Sequence, residues 1–454
     1  MDYNLILSEI KPTDDEKNKI DAFALKLINY IQGYCDDNDI DAKVTLVGSV
    51  AKNTALKGKS DIDIFIAFPL ETDKQYLKEI GLELGHKCCD EFGGSASHHF
   101  ASHPYVTADI EGYEVDIVPC YAINNGDELK SAVDRTILHT RYVKANLAEN
   151  QEDEVLLLKR FMAMTGTYGS EFKVGGFAGY LCELLIIYYK TFENTLKNAV
   201  DWKYGQSIDL EGYGTSDSFE DPLIVIDPTD KNRNVGAALR LNKMAEFIQS
   251  ARNYLASENK KDYFYPIERK LNIEDILNEF DMIDGDFITI SFEIPEIPLD
   301  TLHPQLKKTC EALLNKLNEE EFNVFNANYW SDEQSKGLIL LELASSKLNK
   351  IKINKGPKVF INKACENFVA KYGPENCYIY GDFLAHNQER EFSDAVTLVK
   401  HIFTKEHIGL IKVGKNLKKN IIDTYQFITI DELDDAGFLE FLDDFLNPGQ
   451  HLVR

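Results

Sequence analysis

Residues 61–68 read Asp-Ile-Asp-Ile-Phe-Ile-Ala-Phe, acid and aliphatic in alternation, and no other segment constrains the fold as tightly. A strand sends successive side chains to opposite faces. Asp61 and Asp63 are therefore predicted to project from one face while Ile62, Ile64 and Ile66 point into a core. A bare Asp-x-Asp says little in a chain with 75 acids, because Asp39-Ile-Asp41 and Asp284-Gly-Asp286 also occur. Context separates the first pair from the others. Lys43–Val47 is a short β-rich run closed by Gly48-Ser49, a strand–turn–helix junction that offers backbone N–H groups to an anion. Tyr105–Ile110 and Tyr113–Pro119 are two further strand-like runs joined by the tight Glu111-Gly112, and the second carries Asp116 among aliphatic residues. That hairpin would bring Asp116 beside Asp61 and Asp63. With helical patterns over 14–34 and 73–92, residues 1–147 are predicted to form an α/β unit on a mixed or antiparallel sheet.

Three half-buried carboxylates repel one another unless cations neutralise them, so the trio implies bound divalent metal. A set of oxygen donors with few protein ligands suits Mg²⁺, which keeps water and shares phosphate oxygens. The chemistry such a set serves is in-line phosphoryl transfer across two ions roughly 3.5–4 Å apart.

The rest of the chain is long enough for more than one core: 454 residues exceed the size at which a single core stops growing. Residues 148–282 turn helical, with i, i+3, i+4 apolar repeats over 153–165, 175–200 and 232–256 and a loop over 205–221. From 283 the order is strand (287–293), helix (304–318), strand (322–330), strand (336–344), helix (360–371) and strand (376–382). This β-α-β-β-α-β order predicts a ferredoxin-like or RRM-like body, followed by tail helices at 393–406 and 431–446. The eight cysteines show no CxxC pair and read as reduced thiols of a cytoplasmic protein. The most apolar stretch, Phe177–Tyr189, has 13 residues interrupted by Glu183, too short for a bilayer. No basic, apolar leader pattern opens the chain.

At motif level, GSVAKNT, DIDIFIAFP, HPYV…VDIVPCY and SAVDRT…H resemble the catalytic head of the DNA polymerase β-type nucleotidyltransferases. Leu158-Lys159-Arg160-Phe161, Tyr168-Gly169 and GFAGYLCELLI at 176–186 resemble, more narrowly, the archaeal class I CCA-adding enzymes, which are tRNA nucleotidyltransferases. The resemblance implies a multidomain α+β protein: a nucleotidyltransferase head (1–147), a helical central domain binding nucleotide and primer (148–282), and an RRM-like body and tail binding tRNA (283–454). It implies that Asp61, Asp63 and Asp116 are catalytic and hold two Mg²⁺ ions. Gly48 and Ser49 would meet nucleotide phosphates, with Lys52 standing where relatives often carry Arg, which retains charge but not a bidentate fork. His139 would contact ATP, Lys159 and Tyr168 the triphosphate, and Arg233 the incoming base. CTP and ATP would be added without a template to the 3′ end of tRNA, and the protein would be a homodimer. On residue chemistry alone, Lys159 would read as a solvated helix face, Tyr168 as a packing aromatic and Arg233 as a helix-start residue.

A formal charge of −26 argues against a surface coated uniformly for nucleic acid. Charge is segregated, however. Lysines 347, 350, 352, 355, 358 and 363 lie in a stretch without an acid, and lysines 400, 405, 412, 415, 418 and 419 share theirs with Glu406 alone, whereas 421–446 holds eight acids and no base. These lysines are the candidates for the acceptor-arm phosphates. A poly(A)-type polymerase would share the acid trio but not CTP use, and a silent RNA-binding relative would have no need of it.

Overall fold

In the computed structural model, which describes residues 1–59, 61–100, 104–269, 271–433 and 435–454, the acid-bearing strands lie at the centre of the first sheet. The chain divides into two compact units, Met1–Glu268 with Gly449–Arg454, and Arg269–Pro448.

The first unit opens with α1 (Asn4–Ile10) and α2 (Asp14–Asp37), the latter started by a Thr13/Glu16 capping box that satisfies its free amides. There follow β1 (Lys43–Val47), the single turn α3 (Gly48–Ala51), β2 (Ile62–Phe68), α4 (Lys74–Glu91), β3 (Ser95–Phe100), β4 (Pro104–Ile110) and β5 (Tyr113–Tyr121). The sheet order is β1-β2-β5-β4-β3, with β2 parallel to β5 and the other neighbours antiparallel, so the mixed sheet is as expected. The β4–β5 hairpin turns at Glu111 and Gly112, both at positive φ as a two-residue hairpin turn requires. Ile62, Ile64 and Ile66 are sealed against α2 and α4, and Phe65 and Ala67 are buried on the opposite face. Only Asp63 interrupts that burial. Asp61 stands one residue ahead of the strand rather than on it.

Next come α5 (Arg135–Asn146), α6 (Gln151–Met164), α7 (Gly179–Tyr189), α8 (Phe192–Ala199), β6 (Gln206–Asp209), β7 (Leu223–Asp227), β8 (Asp230–Asn234) and α9 (Leu241–Ala256). The single helical pattern over 175–200 is two helices, split at Lys190, whose φ of 77° no helix interior tolerates. Arg233 does not start a helix. It sits on β8, the outer strand of the three-stranded sheet β6-β7-β8.

The second unit contains α10 (Ile273–Met282), β9 (Asp286–Glu293), α11 (Leu299–Glu319), β10 (Val324–Ser331), β11 (Lys336–Leu343), β12 (Ile351–Lys358), α12 (Asn362–Tyr372), β13 (Cys377–Tyr380), β14 (Phe383–Glu389), α13 (Ala395–Ile402), α14 (Lys418–Thr424), β15 (Gln426–Ile428) and α15 (Ala436–Leu446). Its main sheet, β10-β11-β9-β15, is antiparallel throughout, which is the ferredoxin-like strand order. One strand differs from expectation. The fourth strand is β15, not 376–382, which instead joins β12 and β14 in a separate sheet with α12 packed on it. No strand is expected at 426–428, because a run of 3 residues is too short to show a period-2 pattern, so the inserted helix–strand pair reads as the last one. Among the described residues no helix is long and apolar enough to cross a membrane.

Candidate active site

The acid cluster is built by register. Val47, the last residue of β1, pairs with Asp63 on β2, and Asp63 pairs in parallel with Asp116 on β5. The two carboxylate-bearing residues are thus immediate neighbours across the sheet. Thr107 on β4, opposite Asp116, donates its hydroxyl to Asp116 Oδ1 at 2.5 Å. The chain then turns at Gly48, with φ +73°, directly over Asp63: a Cβ there would lie 1.8 Å from Asp63 Oδ2. Glycine is required twice at this position, for the dihedral and for the approach.

Burial, then the charges of Asp116 and Asp61, push the Asp63 carboxyl up to about 7, with Lys52 pulling the other way. The trio therefore shares one electrostatic environment. Among the described residues, however, no group of three or more His, Cys, Asp or Glu stands in an arrangement that could hold an ion. The two findings are compatible because charge coupling reaches farther than coordination distance. What the cluster offers is hard oxygen donors of like charge, the donor set that Mg²⁺ takes.

Behind the turn lies a buried charge cluster. Glu183, on the otherwise apolar and aromatic α7, is fully buried and meets Lys52 Nζ at 2.6 Å through Oε2. Its Oε1 accepts from Thr54 Oγ1 at 2.6 Å and lies 3.7 Å from Lys159 Nζ. Lys159 is buried too and donates to the Thr54 carbonyl at 2.8 Å, so it is no solvated helix face. Burial disfavours the Lys159 charge and lowers its pKa, while Glu183 opposes that fall. Burial likewise pushes the Glu183 carboxyl up, but Lys52 and Lys159 outweigh it and leave the group below its ordinary range. Tyr168 stands in the same place: a Cβ on Gly179 would lie 3.3 Å from the Tyr168 hydroxyl and 3.5 Å from Lys159 Nζ. Burial raises the Tyr168 pKa, and the charges of Cys182, Glu183, Glu171 and Asp61 add to the rise.

Tyr180 continues the chain of contacts. Its ring lies 5.9 Å from Lys52 Nζ and stacks on His139 at 3.9 Å between centroids. His139 Nε2 is 2.9 Å from Asp227 Oδ2, and Arg233 Nη1 donates to the same oxygen at 2.8 Å. Asp227 Oδ1 accepts from the Thr229 backbone and hydroxyl and, at 3.3 Å, from the Tyr180 hydroxyl. Burial raises the Asp227 pKa, but the hydrogen bond and charge of His139 and the two donors of Thr229 hold the carboxyl well below the usual range. Arg135 Nε donates to Asp230 Oδ2 at 3.1 Å, across 95 positions of the chain.

Every residue predicted for the site therefore lies in the first unit, in three linked groups: Gly48 with the acids, Lys52 with Lys159 and Tyr168, and His139 with Arg233. Ser49 is half-buried in the turn that follows Gly48. His103 of the HPYV run lies outside the described residues. In the second unit, all twelve lysines named above are exposed except the half-buried Lys352.

Comparison with known proteins resolves the family. Residues 27–139 match the nucleotidyltransferase domain profile, 153–265 the second domain of tRNA nucleotidyltransferase, and 285–429 the C-terminal domain of CCA-adding enzyme. The CCA-adding enzyme of Methanothermobacter thermautotrophicus is 44% identical over 100% of this chain and 99% of its own. The chain belongs to the CCA-adding enzyme family. The CCA-adding enzymes of Methanosarcina acetivorans (36% identical, 96% of each chain covered) and Methanocaldococcus jannaschii (37%, 87% of this chain and 89% of its own) are similar as well. The chain is accordingly an enzyme, a nucleotidyltransferase, as the resemblance implied.

The sequence pattern does not single out the residues that organise the site rather than fill it: Thr54, Tyr180, Glu183 and Asp227. Two of them carry a signal. Glu183 is an acid in the apolar run of α7, and Asp227 ends the run Leu-Ile-Val-Ile; an acid in such a setting is buried only when cations or donors meet it.

Proposed function

We propose that this CCA-adding enzyme completes and repairs the 3′-terminal CCA of tRNA, using CTP and ATP and releasing pyrophosphate. The observation that carries the chemistry is the pairing of Asp63 with Asp116 on adjacent parallel strands under Gly48. The substrates follow from family membership, since relatives of this name match along the whole chain.

In this reading the RNA 3′-hydroxyl attacks the α-phosphorus, its proton departs, and the bond to the pyrophosphate oxygen breaks as the new phosphodiester forms. Asp61, Asp63 and Asp116 would hold two Mg²⁺ ions, which supply charge neutralisation and a more acidic hydroxyl. Ser49, Lys52, Lys159 and Tyr168 take the triphosphate. His139 contacts ATP and Arg233 takes the incoming base, both fixed on Asp227. A pocket with fixed polar groups rejects a wrong base because those groups are left unpaired. The exposed lysines of the second unit take acceptor-arm phosphates, reading A-form RNA by shape and backbone. Cytoplasmic location and a homodimer rest on the resemblance and the reduced cysteines, and light scattering of the purified protein tests the dimer.

The deciding experiment incubates tRNA lacking its CCA with Mg²⁺ and each labelled nucleotide, alone and in pairs. The expected result is CMP addition from CTP alone and AMP addition after it. AMP tracts with no use of CTP would indicate a poly(A)-type polymerase, and no incorporation a silent RNA-binding relative.

A further inference from the structure

The Lys52–Glu183–Lys159 cluster is unbalanced. One carboxylate faces two ammonium groups, all three side chains are less than 10% exposed, and the arrangement carries one net positive charge out of reach of bulk water. Taking a carboxylate out of water costs several kcal/mol and is tolerated only where partners satisfy it. Here the partners are specific: Lys52 and Thr54 from the loop after Gly48, and Lys159 from α6. Lys159 in turn donates to the Thr54 carbonyl, so the loop, α6 and α7 are joined at one point.

We infer that Glu183 is a positioning residue for the triphosphate, holding the Lys52 and Lys159 ammonium groups charged and side by side before nucleotide arrives. This rests on the reading above that the two lysines meet the triphosphate. Two like charges brought together in a buried space repel, and each is further disfavoured by desolvation. Glu183, within 2.6 Å of Lys52 Nζ and 3.7 Å of Lys159 Nζ, offsets part of both penalties yet leaves a surplus positive charge for an anion to satisfy. Preorganised charge of this kind lowers the reorganisation needed on binding. Glu183 touches neither the acid trio nor the base-reading residues, so its effect should be confined to the polyphosphate.

The test uses the full chain carrying Glu183→Gln, which keeps shape and hydrogen bonding but removes the charge, beside the wild type. KM for both CTP and ATP should rise about tenfold or more, the scale on which loss of a supporting partner weakens a site. The change in kcat should be smaller, inhibition by pyrophosphate should weaken in parallel with KM, and affinity for tRNA should stay unchanged. Unaltered KM and pyrophosphate inhibition would overturn the inference. So would a uniform fall in kcat, tRNA affinity and Tm, which marks a purely structural role. Should Glu183→Gln fail to fold, Thr54→Val removes one donor to the carboxylate while keeping every charge, and it should move KM and pyrophosphate inhibition in the same direction by less; no movement refutes the inference. Calorimetric binding of pyrophosphate to both proteins separates the two layers of the reading. A wild type that adds no nucleotide refutes the function, whereas equal pyrophosphate affinity in wild type and Glu183→Gln refutes the role of Glu183.

Discussion

Gly48 lies so close to Asp63 that a single methyl group on its Cα would occupy the space of the carboxylate, 1.8 Å from Oδ2. The turn and the acid are thus one unit of geometry. Gly48→Ala should cost about 1–2 kcal/mol for the left-handed backbone alone, and more for the collision with Asp63. Nucleotide addition should fall by orders of magnitude while tRNA binding persists. Thermal unfolding and a single-addition assay report the two effects separately.

The raised Asp63 pKa makes a second prediction. A carboxyl that titrates near pH 7 because of burial, Asp116 and Asp61 should lose its proton when a divalent cation binds beside it. Adding Mg²⁺ with a triphosphate to weakly buffered enzyme at pH 7 should therefore release protons, measurable with a pH-stat. Asp63→Asn should abolish both the release and nucleotide transfer, and chelation by EDTA should abolish transfer in the wild type.

His139 and Asp227 set the acid limit. Burial lowers the His139 pKa below its ordinary 6.5, against the pull of Asp227. Below that ordinary value the unfolded chain takes up a proton that the folded protein refuses, so stability should fall as pH drops from about 6.5. Asp227, held low in the fold, adds stability that is present above its unfolded pKa of about 3.9 and is lost as pH falls through the folded value. His139→Asn should flatten the first of these declines in Tm and leave the second.

Removing the Asp227 carboxylate strands Arg233 and His139 together. Asp227→Ala should destabilise by about 3–5 kcal/mol, as for other broken buried pairs. Asp227→Asn, which keeps shape, should instead loosen base choice, seen as UMP or GMP incorporation under conditions where the wild type shows none.

On the second unit, Lys355→Ala and Lys412→Ala should weaken tRNA binding without changing nucleotide preference. The slope of log affinity against log salt should fall by about one for each phosphate that a removed lysine had neutralised. An unchanged slope would assign those residues to ordinary solvated surface.

How much of the fold and of the site is legible in the sequence depends on range. The strand in the period-2 run of residues 61–68 and the Glu111-Gly112 turn are local signals and are found where they are read, except that the strand begins at Ile62, leaving Asp61 ahead of it, and is buried on both faces. Arg233 reads as a helix-start residue from its neighbours; pairing with β7, a tertiary effect, makes it a strand residue. Lys52 and Lys159 are far apart in the chain and their common partner is on a third segment, so no local pattern announces that they share Glu183. Asp227 is visible only as an oddity, an acid closing a strand that is buried from end to end.

The late position of β15 has a consequence for how the protein is made. Its register with β9 brings together residues far apart in the chain, and the neighbouring bond from the Glu293 amide to Thr424 Oγ1 spans 131 positions. Closing so long a loop is slow relative to local pairing. During synthesis β9 must wait with one flank unpaired while the inserted β12–β14 sheet, joined by short connections, emerges complete. An unpaired apolar strand edge is where nascent chains stick to one another, so the ribosome-bound protein should be most prone to aggregate before β15 has emerged to pair with β9.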